Sequence, residues 1–158
     1  MNRSNGDLRI DFHVHSSRSS DAWNPVPLIK RAARWRDLDG LAITDHERFD
    51  PDRLGDLRNR TDLLLVPGQE ISTRIGHLLA YFIEAPIKSD GGVKVVLNRI
   101  HEQGGLAVLA HPYRSRMNYR TDVLDRLDAV ELHNARSGSP RDDASPNART
   151  RRTFQELD

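Results

Sequence analysis

The sequence predicts a single α/β domain in which strands and helices alternate around a parallel or mixed sheet. Short apolar runs of strand length recur along the 158 residues. Amphipathic or polar stretches separate them, the pattern of βα units rather than of a bundle or a sandwich. The hydrophobic content of 37% suffices for one core, in a chain of about one domain's length. No repeat, low-complexity tract or linker divides it, so residues 1–158 read as one domain.

Residues 8–14 alternate and are rich in β-formers; 40–44, 62–66, 78–83, 106–110 and 129–132 are compact runs with the length of buried strands. Between them, residues 25–38 carry Leu28, Ile29, Ala32, Ala33 and Trp35 at near-helical spacing. Asn24 is placed to cap that helix, Pro25 to occupy its first position and Gly40 to stop it. Residues 92–103 repeat the logic with Val93, Val96, Leu97 and Ile100 on one face, ended by Gly104 and Gly105. Short helices are expected over 51–57 and 122–127, and another over 146–157 with Ser145 as its cap. The Ser, Pro, Gly and Asp of 137–145 read as an irregular loop.

Composition narrows the chemistry. The chain has no Cys, which excludes disulfides, thiolate ligands and a Cys nucleophile, so any metal must be held by nitrogen and oxygen. A formal net charge of +1 provides no field for steering nucleic acid or an anionic membrane to the surface. The N-terminus lacks the apolar stretch of a signal peptide and no run approaches the roughly 20 residues that span a bilayer; a cytoplasmic location is the default expectation. Arg outnumbers Lys, which we read as coding-sequence composition rather than as a binding surface.

The His, Asp and Glu residues fall at or just past strand C-terminal ends. The first strand finishes Asp11-Phe12-His13-Val14-His15, the second runs into Thr44-Asp45-His46, the third into Pro67-Gly68-Gln69-Glu70, and the 106–110 strand into His111-Pro112. In β/α barrels this end of the strands carries the active site, because every strand can there aim a side chain at one central volume. Residues i and i+2 of a strand point the same way, so His13 and His15 can chelate one ion. Each group has a plainer role when taken alone: Asp45 as a helix cap, His111 as a buried residue before a turn, Glu70 as a solvated carboxylate. Their recurrence at one strand register favours a metal site. His77 reads as a ligand or a strand-start residue, His101 as a surface residue, and His133 shares a strand face with Glu131 and stays open.

The order Asp-Phe-His-Val-His-Ser, Ser-Asp-Ala, Thr-Asp-His, Pro-Gly-Gln-Glu-Ile-Ser and Ala-His-Pro resembles the PHP (polymerase and histidinol phosphatase) superfamily, in particular its small stand-alone phosphoesterases. The resemblance runs over residues 10–134. It implies a distorted seven-stranded β/α (TIM-like) barrel, two or three divalent ions (Zn, Mn or Fe) at the strand ends, and hydrolysis of a small phosphomonoester or nucleotide. By position it implies His13, His15, Asp21, His46, Glu70 and His111 as metal ligands, with Glu70 bridging. Arg18 and Arg114 are candidate phosphate clamps, since a guanidinium offers bidentate hydrogen bonds to phosphate. Members of the superfamily close with a late Asp-x-His, and none follows His111 in this chain. The barrel is therefore expected to be incomplete at the C-terminus, with Glu131, His133, Asp142 and Asp143 as the substitutes on offer and self-association through an open edge as a consequence. The rival readings are a domain that binds metal or a partner without turnover, and an amidohydrolase-type enzyme. The latter would want a lysine-derived bridging carboxylate, whereas Lys30, Lys88 and Lys94 lie outside the strand ends.

Overall fold

The structure, a computed structural model, describes residues 6–50, 52, 62–114, 121–138 and 144–154. Among these, six strands form one sheet in the order β1-β2-β3-β4-β5-β6: β1 Ile10–Val14, β2 Gly40–Ile43, β3 Leu64–Thr73, β4 Gly76–Tyr81, β5 Leu106–Leu109 and β6 Ala129–Val130. The helices are α1 Val26–Trp35, α2 Val93–His101, α3 Thr121–Leu124 and α4 Pro146–Phe154, with a 3-10 turn at Ala135–Ser137.

The sheet is mixed. β1, β2 and β3 run parallel, β4 is antiparallel to both β3 and β5, and β5 and β6 are parallel. Where the resemblance implied seven strands in a TIM-like barrel, the described residues build an open sheet whose edges, β1 and β6, have no backbone pairing with each other. The alternation of strand and helix also fails once. β3 is a ten-residue strand that turns directly into β4 at Arg74-Ile75, because Pro67-Gly68-Gln69-Glu70 continues the strand instead of ending it. Residues 64–67 pair with β2 and residues 68–73 with β4. The change of partner falls at Pro67, which has no N–H to give to a ladder.

Period-2 alternation assigns the two faces. Leu78, Ala80, Ala107 and Leu109 face outward into a core with Val96, Leu97 and Ile100 of α2. Leu41 and Leu65 pack with Ile29 and Ala33 of α1. The intervening Ala42, Val66, Leu79, Tyr81 and Val108 form an inner cluster. The sheet curls about that inner face: Tyr81 on β4 donates its hydroxyl proton to the carbonyl of Phe12 on β1 at 2.7 Å, although two strands, β2 and β3, lie between them in the sheet. Gly40 permits the close parallel approach of β2 to β3, since a Cβ there would lie 2.7 Å from the Leu64 carbonyl oxygen.

The helices form with shifted ends. Pro25, in extended conformation, takes the N-cap position of α1 that Asn24 was expected to fill. Val26, Ile29 and Ala33 are buried while Leu28 and Trp35 face solvent, so the apolar face is narrower than the sequence suggested. α2 begins after Gly92 and ends before Gly104, whose φ of +71° only glycine adopts readily. Of the helix expected over 51–57 only Asp52 is described, and the loop expected over 137–145 lies partly outside the described residues, as do Asp142 and Asp143. No helix among the described residues is long and apolar enough to cross a membrane.

Candidate metal centre

Glu70 sits inside β3, fully buried, on the inner face of the sheet. Five of the chain's seven histidines surround its carboxylate. Its Oε2 lies 2.7 Å from His15 Nε2, 3.2 Å from His13 Nε2 and 3.4 Å from His46 Nε2. Its Oε1 lies 2.7 Å from His77 Nδ1 and 3.1 Å from His111 Nε2. His101 and His133 stand apart: His101 pairs with Asp128, and His133 is exposed beside Asn147.

Each imidazole reaches Glu70 for a local reason. β1 carries one extra residue against β2 between Asp11 and Val14, a bulge of the kind that re-aims side chains, and His13 lies in it. His15 leaves β1 just beyond, and Asp45 fastens that segment by accepting both the backbone N–H and the hydroxyl of Ser16 at 2.6 Å. Asp45 thus locks the ends of β1 and β2 together rather than capping a helix. His46 follows and bridges Glu70 in parallel register. In the β3–β4 hairpin Glu70 stands opposite Leu79 and Ser72 opposite His77, which places Glu70 and His77 diagonally on one face. His111 follows β5 with φ of +28°, an unusual conformation for a residue with a side chain.

Asp21, in the loop after β1, accepts from His15 Nδ1 at 2.8 Å and from the Ser19 hydroxyl at 2.9 Å. It also pairs with Arg136 Nη1 at 2.6 Å and stands 3.7 Å from His46 Nε2. The six residues implied as ligands, His13, His15, Asp21, His46, Glu70 and His111, are therefore brought together, and His77 joins them. Glu131 completes the shell, 3.0 Å from His13 Nδ1. Arg114 and Arg136 line the adjoining cavity of about 1140 Å³, whereas Arg18 is exposed and paired with Asp50. Arg136 was not foreseen, since nothing local marks it among the other arginines. The signal for His77 is a two-residue hairpin at Arg74-Ile75, which folds it back beside Glu70.

The electrostatics are those of a crowded, partly dry site. Burial works against ionisation of Glu70, but four imidazole hydrogen bonds, led by His111, hold its carboxyl far below the usual range. Burial likewise opposes a charged His13, and Glu131 and Glu70 outweigh it, raising its pKa to about 9. His15 is raised against burial by Glu70 and Asp21. His46 is lowered by burial and by its imidazole neighbours. Burial opposes the Asp21 carboxylate, and hydrogen bonds from His15, Ser19 and Arg136 nevertheless lower its pKa.

This donor set fits divalent cations. His13 Nε2 and His15 Nε2 lie 3.1 Å apart and both face the same carboxylate oxygen, so three atoms that can each ligate a metal converge on one small volume. Buried His111 Nδ1 has no hydrogen-bond partner among the described residues. Four overlapping groups have ligand atoms within 4.8 Å of one another: His13, His15 and Glu70; His46, Glu70 and His77; His15, Asp21 and His46; His13, His111 and Glu131. Nitrogen and carboxylate donors without thiolate suit Zn, Mn or Fe.

Comparisons with known proteins agree on the architecture. No protein-family model matches the chain. Two uncharacterised proteins of Methanocaldococcus jannaschii, MJ0417 and MJ1587, are each 29% identical to it, over 142 and 145 residues. The chain spans 55% of the length of the first and 82% of the second. Among solved structures, a two-domain protein of Bacteroides vulgatus, described as containing by prediction a PHP-like metal-dependent phosphoesterase, superposes with a TM-score of 0.65 at 19% identity; 79% of this chain and 44% of that one are covered. A protein of Bifidobacterium adolescentis provisionally named a metal-dependent phosphoesterase gives 0.68 at 16% identity, over 94% and 84% of the two chains. An amidohydrolase from Chromobacterium violaceum, with bound sulfate and no metal, gives 0.59 at 19% identity, over 79% and 77%. The shared property is the fold.

Proposed function

We propose that this chain is a metal-dependent phosphoesterase of the PHP type, acting on a small phosphomonoester or nucleotide with two or three divalent ions, Zn, Mn or Fe, at the Glu70 centre. The observation that carries the reading is the buried Glu70 carboxylate facing five imidazoles beside an open cavity. The names borne by two structures of the same fold support it. His13 and His15 would hold one ion with Glu70, and Asp21, His46, His77 and His111 would share the others. Bound divalent ions would supply Lewis-acid polarisation of the phosphoryl group and a water of lowered pKa.

The protein's own groups bind and orient. Glu70, with a carboxyl that stays ionised, offers both oxygens to the centre. Asp21 orients His15 through Nδ1, leaving Nε2 to face Glu70. Arg114 and Arg136 put cationic groups on the cavity wall, where a substrate phosphate would lie, Arg136 with one nitrogen already given to Asp21; Arg18 pairs with Asp50 and would have to leave that partner to contribute. The amidohydrolase reading has one point in its favour, the name of the third structure sharing the fold. Against it, Lys30 lies in α1, Lys94 in α2 and Lys88 just before α2, so the lysine-derived bridge is not supplied from these positions.

The test is hydrolysis of a panel of phosphomonoesters and nucleotides with Mn, Zn or Fe added. We expect metal-dependent turnover that Glu70→Gln and His13→Ala each reduce by about two orders of magnitude or more, beyond the 10–100-fold typical of outer-shell partners. Full activity in both variants on the best substrate would refute the assignment.

A further inference from the structure

Glu131 follows β6, at one edge of the open sheet, and its carboxylate reaches to the other edge. Its Oε1 accepts from His13 Nδ1 at 3.0 Å and from Asn134 Nδ2 at 3.1 Å. Its Oε2 accepts the backbone N–H of His111 at 2.7 Å. The His13 and Glu131 side chains are only 10% and 12% exposed. An ionised carboxylate only accepts, so its contact with His13 requires the imidazole proton on Nδ1. Nε2 faces the equally ionised Glu70 carboxylate at 3.2 Å and carries the second proton in the metal-free chain, so it is this proton that a cation would displace. The 3.4 Å approach of Asn134 Nδ2 to His13 Nδ1 is then donor against donor and secondary to Asn134's bond to Glu131. On the other oxygen, the same carboxylate secures the backbone of His111 in its positive-φ conformation.

We propose that Glu131 is a positioning residue: it presets the Nδ1–H tautomer of His13 and anchors His111, fixing from the far edge of the sheet two of the imidazoles that face Glu70. The inference rests on the metal-centre reading above. Glu131 lies near enough to His13 and His111 to join them around an ion, but both of its oxygens already accept N–H groups, which is the arrangement of an orienting carboxylate behind a ligand histidine.

The experiment combines zinc titration with imidazole ¹H–¹⁵N NMR on the full chain and on Glu131→Gln and Glu131→Ala. In the wild type, the zinc-loaded protein should show a His13 Nδ1–H signal shifted downfield by its carboxylate partner, assigned by its loss in His13→Ala. Glu131→Ala should move that signal upfield and weaken zinc binding about 10–100-fold at unchanged stoichiometry. Glu131→Gln, whose amide oxygen can still accept from Nδ1–H but whose NH2 then faces the His111 N–H, should keep the His13 signal and recover part of the affinity, and it retains the Nδ1 acceptor should the alanine variant unfold. Loss of one whole equivalent of zinc in Glu131→Gln would make Glu131 a ligand and overturn the proposal. An unmoved His13 signal with affinity within twofold of wild type would overturn it as well. Should the wild type bind no zinc, the metal-centre reading fails, and the tautomer of metal-free His13 above its titration decides the positioning role by itself: Nδ1–H in wild type and a shift toward Nε2–H in Glu131→Ala sustain it, and no difference overturns it.

Discussion

Glu70 and His13 illustrate how one contact acquires opposite pH dependences with and without metal. In the metal-free chain the His13 pKa is raised from 6.5 to about 9 by Glu131 and Glu70, against the opposing effect of burial. A raised pKa contributes stability that is complete below 6.5 and lost as pH climbs through 9. His15 acts in the same direction and His46 in the opposite one. Metal binding instead requires neutral imidazoles. We therefore expect the melting temperature in chelator to fall between pH 6.5 and about 9.5, while the increment produced by added Zn or Mn grows over the same interval. Differential scanning calorimetry at several pH values checks it; an increment that shrinks as pH rises would contradict it.

The hairpin β3–β4 is the element that builds the site, and Gln69 holds it in place. Gln69 is fully buried; its Oε1 accepts the Ile87 backbone N–H at 2.8 Å and its Nε2 donates to the Ile87 carbonyl at 2.9 Å. Replacing it with Leu keeps the bulk and strands two backbone groups, each costing about 1–3 kcal/mol. We expect Gln69→Leu to lower the melting temperature by about 5–15 °C, at about 2–4 °C per kcal/mol for a chain of this size; an unchanged value would show that the Ile87 segment finds other partners. This hairpin also marks what the sequence did and did not reveal. All six strands were legible from apolar runs, β3 only in its first residues and β4 with shifted ends, and so were four imidazoles, because His13, His15, His46 and His111 fall at strand ends. Pro67 and Gly68 look locally like loop residues. That they continue a strand depends on β3 exchanging β2 for β4, which is a tertiary matter. Consequently the sequence leaves His77 open between ligand and strand start, and Glu131, across the open side of the sheet, is linked to His13 only through the fold.

The candidate centre gathers the whole molecule, since its side chains come from β1, β3, β4 and the segments after β1, β2 and β5. Among the described residues the edges β1 and β6 are joined at this end through side chains, Glu131 to His13 and Arg136 to Asp21. Unpaired edges invite a second copy, and exposed Phe12 on β1 adds apolar surface there; light scattering over a concentration series should show self-association, and a strict monomer throughout would contradict it. The most direct test of the metal centre is the metal content of the purified chain after brief dialysis without added metal, together with its melting temperature before and after adding Mn or Zn. A cation bound only by the native state must raise stability. We expect at least one tightly held divalent transition metal and a metal-dependent rise in melting temperature that Glu70→Gln abolishes. A metal-free protein whose melting temperature is indifferent to both ions would contradict it.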